Sequence, residues 1–193
     1  AYADKEYKGD SESKLFQLLL DKATNMPAVV EELYQWIFKR LEKVFGKSFV
    51  KSCLGLIAIG RKGWGERELE VLVPEITKEK WVALNWAAMR RLLRAHLVQS
   101  DTGLWRFFHA QMGRSVYKYY LADEIEKEAL HLQLSNYLQN LSRDNSLRYE
   151  IMYHLLGSKN VAKAASYYSQ KLDEKENNEA TETIGAYIIT SAD

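Results

Sequence analysis

The fold is decided by HLVQSDTGLWRFFH, residues 96–109, where the spacing of apolar residues changes from helical to alternating. The short runs 96–100 and 104–109 have the alternation of strands. Between them, Asp101-Thr102-Gly103 has the composition of a tight turn. The stretch therefore predicts a β-hairpin, and it is the one place where the sequence pattern predicts strands.

Apolar residues spaced three and four apart predict helices on both sides of this hairpin. The segment 47–60 is apolar nearly all round, so we expect a central buried helix there. A short helix at 66–72 should stop at Val73-Pro74, because proline cannot donate the helical hydrogen bond. A long helix should start at Thr77 and run to Arg94. The residues on it that should be buried are Trp81, Trp86, Met89, Leu92 and Leu93. The complete set of predicted helices is 13–23, 27–45, 47–60, 66–72, 77–94, 110–121, 123–141, 147–156 and 161–171.

The order helix, short helix, long helix, hairpin, helix is that of a winged helix with the hairpin as its wing. We therefore predict a mainly α fold with a winged-helix domain at 47–121. Residues 1–46 would form a helical segment before it, and residues 122–193 a helical arm after it. The two helices at 147–156 and 161–171 are typical of the start of a helical-repeat array.

Composition favours an ordinary globular domain. The 193 residues carry a net charge of +1, so no basic excess points to nucleic acid or membrane. The single cysteine, Cys53, lies in an apolar run and is expected to be buried and inert, which favours a reducing, cytoplasmic compartment. No apolar run has the length of a membrane span. The chain starts at Ala1 without methionine and ends just after the apolar residues 187–189, so we expect a piece of a longer protein.

No arrangement of residues predicts catalysis or metal binding. We find no Ser/His/Asp set, no nucleophile-elbow motif and no phosphate-binding loop. His96, His131 and His154 are scattered without cysteine partners or helical ligand spacing, so a zinc site is not expected. The chain is therefore predicted not to be an enzyme.

Several stretches resemble the signalling NTPases of the STAND class, which include NACHT and AP-ATPase proteins and relatives of the nephrocystin-like and telomerase-associated proteins. The resemblance covers about 27–170. Its stretches are MPAVVEELYQWIFKRLEKVFG (26–46), FVKSCLGLIAIGRKGWGERELEVLV (49–73), LRAHLVQSDTGLWRFFHAQMGRSVYKYYL (93–121), HLQLSNYLQN (131–140) and RYEIMYHLLGSKNVAKAASYYS (148–169). The last two are similar to the helical arm that precedes tetratricopeptide-like repeats in that class.

The resemblance implies a regulatory module of an ATP-driven switch. His109 matches the histidine of the family's box, which contacts the ADP phosphate when the winged helix packs on the ATPase core. The next residue departs from the family, because Ala110 stands where an acid is usual. No cofactor is expected for the chain itself, and ATP or ADP with Mg²⁺ is implied for the full-length protein. The implied partners are the upstream ATPase core and proteins that bind the arm.

Three alternatives stay open at this point. Arg90, Arg91 and Arg94 cluster at the end of the helix that would read DNA in a winged-helix DNA-binding protein. The chain would then bind nucleic acid. The whole could also be a plain helical scaffold for protein interaction. His109, for its part, could simply support the end of its strand, and Arg114, one turn further along, is expected to face solvent.

Overall fold

The computed structural model describes residues 17, 21, 24, 27–141 and 147–172, and this part of the chain is mainly helical with one small antiparallel sheet. The predicted helix at 13–23 lies almost wholly outside it. The elements are α1 (Val30–Phe45), α2 (Lys47–Ile59), α3 (Glu66–Thr77), α4 (Ala83–Leu92), β1 (Leu97–Gln99), β2 (Trp105–Phe107), α5 (Ala110–Tyr120), α6 (Glu124–Leu141), α7 (Arg148–Gly157) and α8 (Val161–Leu172).

Helix α2 is the centre of the fold, as its sequence predicts. Nine of its thirteen residues are buried, and α1, α3 and α5 all pack against it. Gly46, at φ 86°, separates α2 from α1 and lets the chain turn between two helices without a loop. The apolar face of α1 buries Phe38 and Leu41, and the Phe38 ring contacts Tyr120 of α5 at a centroid distance of 5.4 Å.

Helix α3 does not stop before Pro74 as predicted, but continues to Thr77 with the proline inside it. Loss of one helical hydrogen bond at a proline costs roughly 3 kcal/mol. Burial of Leu72 and Val73 offsets that cost, and the Thr77 hydroxyl donates to the Val73 carbonyl at 2.9 Å. The helix ends instead at Lys78, which has the left-handed backbone of a helix terminus at φ 60°.

The long helix predicted from Thr77 to Arg94 is wrong at its start, because α4 begins only at Ala83. Residues 78–82 form a non-helical connection, in which Trp81 contacts Phe49 of α2 with ring centroids 5.7 Å apart. The burial predicted for its apolar positions is also wrong in part. Trp86, Met89 and Leu93 are buried, whereas Leu92 is 52% exposed.

The hairpin is confirmed, and its sheet has one additional contact. Strands β1 and β2 pair antiparallel with Val98 opposite Arg106. Gly103, at φ 83°, supplies the positive φ that the turn needs. In addition, Trp64 forms an isolated antiparallel bridge with Trp105, and each backbone N–H donates to the other's carbonyl, at 3.3 Å and 2.8 Å. The loop between α2 and α3 thus extends the sheet by one bridging residue.

The three C-terminal helices pack in sequence, α6 against α7 and α7 against α8. They are joined to the preceding part by ion pairs: Lys51 Nζ to Glu126 at 2.6 Å, and Arg61 Nη2 to Glu150 at 2.7 Å. The break predicted at 142–145 falls outside the described residues. No helix in the described part of the chain is long and apolar enough to cross a membrane.

Candidate functional site

His109 lies on the surface at the junction of the hairpin and α5. It is the N-cap residue of α5, with an extended backbone (φ −107°, ψ 128°), and its side chain is exposed. The next helical turn is held through its carbonyl, which accepts from the Met112 N–H at 3.1 Å. The backbone of this junction is fixed by β1, since the Phe108 N–H donates to the His96 carbonyl at 2.8 Å. The imidazole is therefore presented to solvent from a fixed position.

Four rings form an aromatic row that runs from the core to the surface at this point. Tyr34 of α1 is buried and meets His96 edge-on at 5.5 Å, and His96 meets His109 at 6.3 Å. The row ends at Phe108, whose ring lies 4.6 Å from His109 and is 63% exposed. Burial, and secondarily the charge of His109, lowers the pKa of His96. Of the two histidines, His109 is the one on the solvent side of the row.

The N-terminus of α5 carries no side-chain cap. The helix dipole is positive at this end, so an acidic residue at the position of Ala110 would be favoured. The first turn of α5 contains no acidic residue. Arg114, on the second turn, is exposed as predicted. An uncapped helix start beside an exposed imidazole and a nearby arginine offers hydrogen-bond donors and positive potential to an anion.

The three arginines of the nucleic-acid alternative do not form one surface. The Arg90 guanidinium lies 4.9 Å from the ring centre of Trp105 and 5.6 Å from that of Trp86. It also forms an ion pair with Glu66 at 3.4 Å, so its charge is compensated within the fold. Arg91 is exposed on α4, and Arg94 is exposed beyond the end of that helix.

Two of the three histidines that are scattered in the sequence, His131 and His154, are paired in the structure. His131 of α6 and His154 of α7 lie with their Nδ1 atoms 2.9 Å apart, and both side chains are buried. Burial lowers the pKa of both, and the charge of Lys127 adds to the effect at His131. A signal was present in the sequence: His131 shares the helical face of Leu134 and Leu138, both of which are buried.

A cavity of about 280 Å³ opens where the α2–α3 loop, the hairpin turn and the C-terminal helices meet. Its walls include Trp64, Leu104, Leu138 and His154, and its acidic residues are Glu68 and Glu150. Sequence reasoning did not predict it, because its walls come from five separate parts of the chain.

No group of three or more histidine, cysteine or acidic side chains is placed to hold a metal ion within the described ranges. Cys53 is fully buried in α2, and burial raises the pKa of its thiol, so it is poorly suited to act as a nucleophile.

None of the protein-family models, curated proteins or solved structures compared with this chain matches it. The chemistry of the residues therefore has to carry any statement about function.

Proposed function

We propose that this chain is a non-catalytic regulatory module of a STAND-type, ATP-dependent switch, made of a winged helix at 47–121 and a helical arm after it. The arrangement of elements supports the winged helix: α2, the bridging residue Trp64, α3, α4 and the β1–β2 hairpin follow in that order. The bridge between Trp64, in the α2–α3 loop, and Trp105 of β2 gives the hairpin a third pairing partner.

The single observation that carries the switch is the position of His109. It is exposed at the uncapped start of α5, directly after the second strand of the hairpin. That is the position in which the resemblance expects a histidine to reach the phosphate of bound ADP. A phosphate that gains this donor in one nucleotide state and loses it in the other biases the equilibrium between two domain arrangements.

The arm is positioned to move with the winged helix. Arg61 and Glu150 join the α2–α3 loop to α7, and the Glu150 side chain is only 17% exposed. The ring of Trp64 lies 5.9 Å from that of His154, so the bridging residue of the sheet is also a contact of the arm. A displacement of the winged helix would therefore carry α6 and α7 with it.

The proposal is tested by ADP retention in the full-length protein. His109→Ala should release ADP several-fold faster than the unchanged protein, because one phosphate donor is lost. Gln111→Ala, an exposed change on the same helical turn, is the matched control and should retain ADP. Equal retention by all three proteins, or a full-length chain without a phosphate-binding loop, would contradict the proposal.

The nucleic-acid alternative has less support, because Arg90 is held between Glu66 and two tryptophans. It predicts that short DNA duplexes are retarded by the chain and released as salt rises. A plain helical scaffold predicts neither DNA binding nor any effect of His109 on nucleotide.

A further inference from the structure

A cavity lies where the α2–α3 loop and the hairpin turn meet α6 and α7. With a volume of about 280 Å³ it suits a molecule smaller than a typical drug. Most of its wall is apolar, contributed by Trp64, Leu104 and Leu138 among others. An apolar wall with few polar groups is the usual design of a small-molecule site.

Three charged residues line the cavity: Lys62, Glu68 and Glu150. Glu150 accepts from Arg61 at 3.0 Å and 2.7 Å, and Lys62 lies 3.6 Å from the same carboxylate oxygen. Glu150 and Lys62 are thus satisfied by neighbours. Glu68 also lines the cavity, and it has no hydrogen bond or ion pair with any residue that the structure describes.

Glu68 is the third residue of α3 and is half-buried. Its carboxylate folds back over Gly65, where the Cβ of any larger residue would overlap it. Burial, and then the carboxylates of Glu68 and Glu75, raise the pKa of the Tyr137 phenol, which lies outside the cavity lining. The Glu68 carboxylate is therefore a negative group beside the apolar wall of the cavity.

Trp64 contributes an apolar ring to the wall. Its side chain is 5% exposed, and its buried Nε1–H has no acceptor among the residues that the structure describes, so it is not a group that an ammonium could satisfy. The indole nitrogen lies against Gly60, which also lines the cavity.

We propose that this cavity binds a small organic cation, an amine whose ammonium group pairs with Glu68 while its apolar body packs against Trp64, Leu104 and Leu138. The ammonium supplies the partner that Glu68 lacks. The apolar part of the amine covers the apolar wall of the cavity and so removes that surface from water. This proposal does not depend on the nucleotide switch, because it uses no residue of the α5 N-terminus.

The amine could be a free metabolite or the side chain of a lysine in a partner protein, and two probes distinguish the sources. One is 2-phenylethylamine, with 2-phenylethanol as its uncharged analogue. The other is Nα-acetyl-lysine N-methylamide. Binding to the unchanged chain is measured by titration calorimetry and by the shift of the Trp64 indole N–H signal, which is assigned with Trp64→Phe.

The amine should bind about tenfold more tightly than the alcohol, since a partly exposed ion pair with a hydrogen bond is added. Glu68→Gln should remove this preference. Glu70→Gln, an exposed change on the same helix, should keep it. Tighter binding of the lysine amide than of phenylethylamine would also support the cation site and assign it to a protein partner. Equal binding of amine and alcohol to the unchanged chain, no binding of either amine, or a preference unaffected by Glu68→Gln would overturn the proposal.

Discussion

The Nδ1 atoms of His131 and His154 lie 2.9 Å apart in the buried contact between α6 and α7, although the two residues are 23 positions apart in the chain. One ring donates its Nδ1–H and the other accepts at its Nδ1, so at least the accepting ring must be neutral, and protonation of both rings would abolish the hydrogen bond. His131 is closed in on one side by Gly157 and on another by the ring of Tyr153, at 5.7 Å. The pair therefore holds the first two helices of the arm together and makes the contact sensitive to acid.

Acid should destabilise the chain in the range in which these histidines titrate in the unfolded state. Burial lowers the pKa of His131 to about 4 and that of His154 to about 3, against 6.5 for an exposed histidine. The unfolded chain therefore binds more protons than the folded chain below pH 6.5. The free energy of unfolding should fall as pH drops from 6.5 towards 4, by at most about 1.4 kcal/mol per pH unit for each histidine. Urea unfolding at a series of pH values measures this slope.

The double variant His131→Leu/His154→Leu should lose most of that slope, leaving the smaller part due to His96. His109→Ala, which changes an exposed histidine, should keep it. An equal slope in the unchanged chain and the double variant would show that the pair does not control acid sensitivity.

Gly157→Ala should destabilise the chain, because an added Cβ would lie 2.6 Å from the ring of His131. Overpacking of this kind costs about 1–3 kcal/mol. Gly55→Ala in α2 is the matched helical control, since its Cβ would meet Leu121 at an ordinary 3.5 Å. That change should be neutral or stabilise by up to about 1 kcal/mol, because alanine is the better helix former. Thermal unfolding measures the stability of both variants. Equal changes in stability would contradict the steric overlap expected at Gly157.

Gly63→Ala should be far more damaging than Gly103→Ala. Both glycines have a positive φ, 89° and 83°, so alanine is strained at either position by about 1–2 kcal/mol. Only at Gly63 would the new Cβ also overlap a backbone atom, the carbonyl oxygen of Trp105. Gly63→Ala should therefore break the Trp64–Trp105 bridge as well. Denaturant unfolding compares the two variants, and a cost at Gly63 no larger than that at Gly103 would refute the argument.

Arg90→Ala should lower the free energy of unfolding by about 1–2 kcal/mol, because the guanidinium contacts two indole rings and Glu66. Arg91→Ala, one position along and exposed, should change it by no more than about 0.5 kcal/mol. Chemical unfolding of both variants is the measurement. The reverse ranking would mean that Arg90 is not structural, and it would restore that arginine to the nucleic-acid alternative.

The elements that were predicted well are those specified by their own residues. The all-round apolar composition of α2 predicted its central position, and Asp101-Thr102-Gly103 predicted the turn between β1 and β2. The start of α4 was predicted wrongly because Trp81 has a helical neighbour pattern in sequence. It lies instead in the non-helical connection 78–82, where it packs against Phe49. Likewise, burial of Leu72 and Val73 keeps α3 helical through Pro74.

The residues of the candidate site, too, could be predicted only in part from the sequence. His109 and Ala110 could be singled out from sequence, because the stretch that contains them resembles the histidine box of the STAND class. The commitment of Arg90 to Glu66 could not, nor could the cavity beside Glu68, since their partners lie on other elements.

The sequence by itself determined the order of helices and hairpin, because periodicity and turn composition act over a few neighbouring residues. Only the tertiary structure decided that Trp64 bridges Trp105 and that His131 meets His154. The reason is physical: these contacts join residues far apart in the chain, and their free energy arises only when packing of the whole core brings them together and excludes water.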